Sequence, residues 1–163
     1  MREMDKLGLM LCRMQGRLFE ASADYCESSS GIFIRRYMNS GVAKRMDDDS
    51  AMIETAVEQD VIAEVNNEYG NKKYGNKKFA REELYWIGYI YRYWSYTRNE
   101  SSQYIYKIAN ASEMRDLYYP YHSLDPANAI ERILESKGVS LEDRFSIDFG
   151  VKVMRQVLEA ANS

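Results

Sequence analysis

Two prolines in 163 residues leave few places where the backbone must stop being helical, and with only nine glycines a many-turned β fold is disfavoured. Two cysteines, Cys12 and Cys26, form neither a disulfide framework nor a CxxC pair, so both are expected as reduced thiols. His122 is the only histidine. A zinc site of two thiolates and two imidazoles is therefore excluded, and nothing in the local sequence supports a Cys–His dyad. There is no Walker loop, no GxGxxG and no HExxH, and Asp47-Asp48-Asp49 lacks the alternate spacing and central glycine of a calcium loop. No apolar run approaches the ~20 residues of a membrane helix. Arg2, Asp5, Lys6 and Arg13 cross the N-terminal stretch, which has no clean signal-peptide core. A net charge of −3 gives no general attraction to nucleic acid or anionic lipid. These absences predict a cytoplasmic protein that is not an enzyme and holds no metal or cofactor.

What is abundant is tyrosine. There are fourteen, mostly between residues 85 and 121, beside two tryptophans. The stretch 80–99, AREELYWIGYIYRYWSYTRN, holds both tryptophans and has no proline. At 100° per residue Leu84, Ile87, Ile90, Tyr91 and Trp94 gather on one side, while Tyr85, Tyr89, Arg92 and Tyr96 form a second stripe roughly opposite. Such a helix sits between two layers, or between the core and a partner. Trp86 and Trp94 are assigned to the core. Tyr, Trp and Arg dominate binding hot spots, so the second stripe is a candidate partner-binding face. Tyr118, Tyr119, Tyr121 and His122 form a second candidate patch. The competing reading is a tyrosine-rich core with hydroxyls at its rim.

Taken in order, Met4, Leu7, Leu11, Met14, Leu18, Ala21 and Tyr25 alternate in steps of three and four, predicting one helix over ~4–25. It is either a core helix or the seam of a dimeric coiled coil. A short helix follows over 32–38, then a turn carrying Val42, Ala43 and Met46 inward. Asp47-Asp48-Asp49-Ser50 reads as the cap of a helix over ~50–68. Eight acidic residues and no Lys or Arg lie between Asp47 and Glu68, as a solvated face or a dock for a basic partner. Residues 69–78 repeat YGNKK twice, predicting an exposed loop or loose hairpin. Beyond the aromatic helix, Ser102–Asn110 reads as a short helix, so 82–109 has the outline of a helix-turn-helix offering Ser102, Gln103, Tyr106 and Lys107 to a major groove. A plain αα-hairpin looks the same. Ser112 caps a turn over 113–119, and Asp125-Pro126 starts a helix that stops at Lys137-Gly138. The tail alternates like a strand but suits a final helix from Asp148 to ~161. The expectation is an all-α, single-domain bundle of about six to eight helices, with a helical domain over 1–138 and a docking segment of the same domain over 139–163.

Phe33–Asp48 (FIRRYMNSGVAKRMDD), Glu83–Thr97 (ELYWIGYIYRYWSYT), Ser101–Ile108 and Tyr118–Leu134 (YYPYHSLDPANAIERIL) together resemble a family of small bacterial proteins encoded beside toxin genes, often of ADP-ribosyltransferase-like type. The likeness covers roughly residues 5–137, most specifically Tyr85 through Trp94, and the tail departs from it. The resemblance implies the antitoxin half of a toxin–antitoxin module, whose partner is a cognate toxin protein neutralised by direct binding. A helix-turn-helix DNA-binding regulator is the alternative.

Overall fold

The computed structural model describes residues 1–49 and 57–138, which form eight helices and no strand. They are α1 (Lys6–Tyr25), α2 (Ser30–Met38), α3 (Gly41–Asp47), α4 (Glu58–Glu68), α5 (Arg81–Arg98), α6 (Ser102–Ile108), α7 (Ala111–Tyr121) and α8 (Pro126–Ser136). The all-α expectation holds. Residues 50–56, the predicted first turns of the fourth helix, and the 139–163 tail lie outside the described residues. No described helix is long and apolar enough to cross a membrane.

The boundaries follow from side chains that satisfy the orphan N–H groups of each first turn. Asp5 accepts from Gly8 N–H (2.9 Å), Ser29 from Ile32, Ser40 from Ala43, Ser101 from Tyr104 and Asn110 from Glu113. Asp125 caps α8 with Pro126 in its first turn. In α5 Glu83 reaches back to the Ala80 N–H (2.8 Å), and Asn99 in the left-handed region (φ 53°) closes the helix.

α5 is the centre of the bundle. It runs antiparallel to α1 along its length, with α6, α7 and α8 packed elsewhere on its surface. One end of the α1–α5 pair is tied by Tyr96 Oη donating to Asp5 Oδ1 (2.6 Å), the other by Arg81 paired with Asp24. Between them the helices approach closely because glycines face the partner. A Cβ on Gly88 would lie 2.6 Å from the Gln15 carbonyl, and one on Gly16 would lie 2.8 Å from the Tyr85 ring. Around this pair Phe19, Phe33, Tyr37, Tyr91, Trp94, Ile105 and Ile133 form the apolar core. Phe19 meets Tyr37 and Phe33 edge-on at 5.0 and 5.8 Å.

Several sequence expectations are corrected. The interior face of α1 is Gly8, Cys12, Gln15, Phe19 and Ser22, with Leu11, Gly16 and Leu18 beside it, whereas Leu7 and Tyr25 of the predicted stripe are exposed. Hydropathy passes over the small residues that make close approach possible. α1 lies against α5 and α4 of its own chain, as a core helix does. Asp47 ends α3 instead of capping the next helix, and Val57 starts α4 without a side-chain cap. α7 is capped by Asn110 and continues through Pro120 to Tyr121. Of the two readings of the YGNKK repeat, the exposed loop holds, since residues 69–77 are exposed and carry no helix or strand, and the loose hairpin does not. The loop forms a strap held on residues 26–30: Ser29 and Ser30 N–H donate to the Tyr74 and Lys77 carbonyls (2.9 and 3.0 Å), and Lys78 donates to the Cys26 and Ser28 carbonyls.

Candidate functional site

Two of the eight predicted contact residues lie inside the molecule. Arg92 is 1 % exposed. Its Nε and Nη2 donate to Gln15 Oε1 (3.0 and 2.8 Å), Nη1 pairs with Asp47 Oδ1 (2.7 Å) and reaches Ser95 Oγ (3.3 Å), and Nη2 also reaches Ser102 Oγ (3.1 Å). Gln15 Oε1 accepts from Tyr37 Oη as well (2.7 Å), while its Nε2 donates to the Gly88 carbonyl (2.8 Å). Asp47 accepts from the Ser102 hydroxyl (2.6 Å) and backbone N–H (2.9 Å). A planar fork with its donors occupied in this way is the form in which a buried guanidinium is tolerated. It joins α1, α2, α3, α5 and α6 and serves the fold. Tyr96 is 4 % exposed, under the Arg2 guanidinium (3.8 Å from the ring centroid). Burial and its bond to the Asp5 carboxylate push its phenol up to about 12. Arg92 and Tyr96 are therefore not available as surface contacts, because α1 and the N-terminal arm cover that half of the stripe.

The other half of the stripe stays open and meets the second patch. Tyr85, Trp86 and Tyr89 of α5, Tyr118 of α7 and His122 just beyond it line one groove of about 640 Å³, which Leu124 and Pro126 close on the α8 side. Tyr85 and Tyr89 rings lie 6.1 Å apart, and Tyr89 stacks towards Tyr93 at 6.4 Å. Burial raises the Tyr89 phenol above its ordinary value. Tyr118 is held edge-on against Trp86 (5.8 Å) and stacked on the His122 ring (4.5 Å, 20° between planes). Glu20 from α1 and Glu82 from α5 complete the lining. Two residues of the predicted second patch stay out of it: Tyr119 points to solvent at 85 % exposure, and Tyr121 packs half-buried against the core.

Pro120 stands inside α7 at this corner. Lacking an N–H, it removes one i→i−4 bond inside the helix. The Tyr118 and Tyr119 carbonyls lie in the last turn, where partners are missing at the helix end. Tyr118 accepts from the His122 backbone N–H (2.8 Å), with the His122 ring beside both carbonyls. Nδ1 lies 2.9 Å from the Tyr118 oxygen and 3.0 Å from that of Tyr119. Since carbonyl oxygens only accept, Nδ1 carries the hydrogen. The imidazole is thus a cap and a flat wall of the groove. Among the described residues no three His, Cys, Asp or Glu side chains are grouped to hold a metal ion. Burial pushes the Cys12 thiol up to about 12, opposite to what a nucleophile requires.

The helix-turn-helix outline is present as α5, a short turn and α6, but Ser102 is buried in the Arg92–Asp47 network and Tyr106 packs half-buried against the core. Of the four residues assigned to base reading, Gln103 and Lys107 remain exposed. Glu20 and Gln15 were not singled out by sequence, and Asp47 was read as a helix cap and not as the partner of Arg92. A glutamine in the middle of an apolar helical face was the available signal for the interior network. No protein-family model, no curated protein and no solved structure matches this chain.

Proposed function

We propose that the chain is a protein-binding module whose working surface is the aromatic groove between α5, α7 and α8, and that it acts as the antitoxin of a bacterial toxin–antitoxin pair. The observation that carries the binding reading is the meeting of Tyr85 and Tyr89 with Tyr118 and His122 in one groove with two carboxylates in its lining. Large rigid rings lose little entropy on binding. Rings beside Glu20 and Glu82 suit a partner segment presenting Arg or Lys, through cation–π and charge-assisted contacts. The antitoxin assignment rests on the resemblance described above, which implies a neutraliser that works by occlusion in the cytoplasm.

The test is co-expression with the product of the adjacent gene, followed by pull-down, size-exclusion chromatography and rescue of growth. Co-elution is expected. The variant Tyr89→Ala with Glu82→Lys is expected to keep its helical circular dichroism and to weaken the complex by at least about 30-fold, the cost of one hot-spot side chain. Rescue by that variant at wild-type level would remove the groove from the interface.

A further inference from the structure

Away from the groove, a second guanidinium is buried, and it is treated differently from Arg92. Arg36 is 5 % exposed. Its Nη2 donates to the Lys72 carbonyl (2.7 Å) and Nη1 to Asn66 Oδ1 (3.4 Å). The rings of Tyr69 and Tyr74 lie 5.4 and 5.6 Å from its central carbon. Those two tyrosines are the equivalent first residues of the two YGNKK copies, and Gly70 and Gly75 after them take matching left-handed conformations (φ 71° and 69°). The duplication builds a clamp on one cation. Among the described residues no carboxylate pairs with Arg36. A buried charge held only by neutral groups is costly unless an anion reaches it.

Space for such an anion is adjacent. Arg36 forms part of a cleft of about 500 Å³ with Arg35, Lys72, Asn39, Tyr69 and Tyr74. Three cationic residues and no carboxylate line it, on a chain whose net charge is −3. Arg35 and Lys72 are exposed, and neither forms an ion pair among the described residues. From this juxtaposition we infer that the cleft is a binding site for a phosphate group carried by a ligand of mononucleotide size. A guanidinium fork matches phosphate oxygens in pairs, and a lysine adds a point charge at the mouth. The volume falls within the range of small-ligand sites. The tyrosines hold the fork in place before the ligand arrives. This site is independent of the aromatic groove, so it stands whether or not the groove binds a toxin.

The experiment is isothermal titration of the full chain with adenosine monophosphate, with inorganic phosphate as competitor and adenosine as the phosphate-free control. Saturable binding of the nucleotide, displaced by phosphate and at least about ten-fold weaker for adenosine, is expected. Arg35→Gln with Lys72→Gln alters exposed side chains only and should fold normally while weakening the nucleotide about ten-fold or more. Arg36→Lys keeps the charge but loses the fork, and is expected to weaken binding in the same direction. A thymidine decamer distinguishes the source of the phosphate: tighter binding than the mononucleotide, lost in the same double variant and falling steeply with salt, upholds the site and assigns its phosphate to a single strand. The inference is overturned if none of the phosphate-bearing probes gives saturable binding at millimolar concentration. It is equally overturned if the double variant binds them as the parent does.

Discussion

Arg92 and Tyr89 stand three residues apart on one stripe of α5, yet one is enclosed and the other lines a groove. The difference lies in partners remote in sequence. Gln15 is 77 positions from Arg92 and Asp47 is 45 away, so no local pattern could show that a carboxylate and an amide wait inside for this guanidinium. Without them an arginine on an aromatic face belongs at the surface, and the sequence reading placed it there. Burial makes the network sensitive to removal of either side. Arg92→Ala would leave the Asp47 carboxylate without its cation and Gln15 Oε1 with the Tyr37 hydroxyl as its remaining donor, and is expected to lower unfolding free energy by about 3–5 kcal/mol. Arg92→Lys keeps the charge but not the planar fork, and should fall between. Urea titration checks both: the midpoint drops while the slope is retained. An Arg92→Ala midpoint equal to that of the parent would show that the pair contributes nothing.

At the scale of elements, the α1–α5 pair decides the architecture, and its closeness depends on residues without bulk. Gly88→Ala tests this against an opposing effect. Alanine favours a helix over glycine by about 1 kcal/mol, but its Cβ would sit 2.6 Å from a backbone carbonyl of α1, which cannot rotate aside. Overpacking of this kind costs about 1–3 kcal/mol, so net destabilisation with separation of the two helices is expected. Thermal unfolding reads it directly, and a variant that melts higher than the parent would deny the close approach. Most helix boundaries were legible because their signals are local: Asp125-Pro126 opens α8, Lys137-Gly138 closes it, and Asn99 ends α5. The interior face of α1 was not, since Gly8, Cys12 and Gly16 carry weak hydropathy and matter only once α5 lies against them. The exposed loop over 69–78 was legible, but its anchoring was missed for a related reason. Gly, Asn and Lys look like free loop until Ser28, Ser29 and Ser30 supply the partners that hold it. Of the candidate site, the residue types and the two clusters were readable, but the meeting of Tyr85 and Tyr89 with Tyr118 and His122 in one groove required the packing of α7 and α8 on α5.

The whole molecule folds around ionisable groups that must stay neutral, and this sets its response to alkali. Burial pushes Tyr37 and Cys12 up to about 12, and Tyr91 well above its ordinary value, while the Tyr91 hydroxyl donates to the Ala109 carbonyl. In the unfolded chain the thiol releases its proton near 9.0 and the phenols near 10.0. Below those values both states hold the same protons and the groups leave stability unchanged with pH. Above them the unfolded chain has lost protons that the native state retains, so the unfolded state binds fewer protons and stability falls as pH rises. The window runs from about 9 to about 12, with a slope approaching roughly 1.4 kcal/mol per pH unit for each group once its unfolded form is ionised. Urea midpoints measured from about pH 8 to about pH 11 are therefore expected to be level at first and then to drop with increasing steepness. Tyr37→Phe removes one titrating group together with its bond to Gln15. It should start from a lower midpoint and lose less between the two ends of the range, which separates the proton linkage from a general weakening. A midpoint that stays flat or rises across the window would mean that the interior phenols ionise as readily in the folded bundle as in water, which the enclosure of Tyr37 and Tyr91 does not allow.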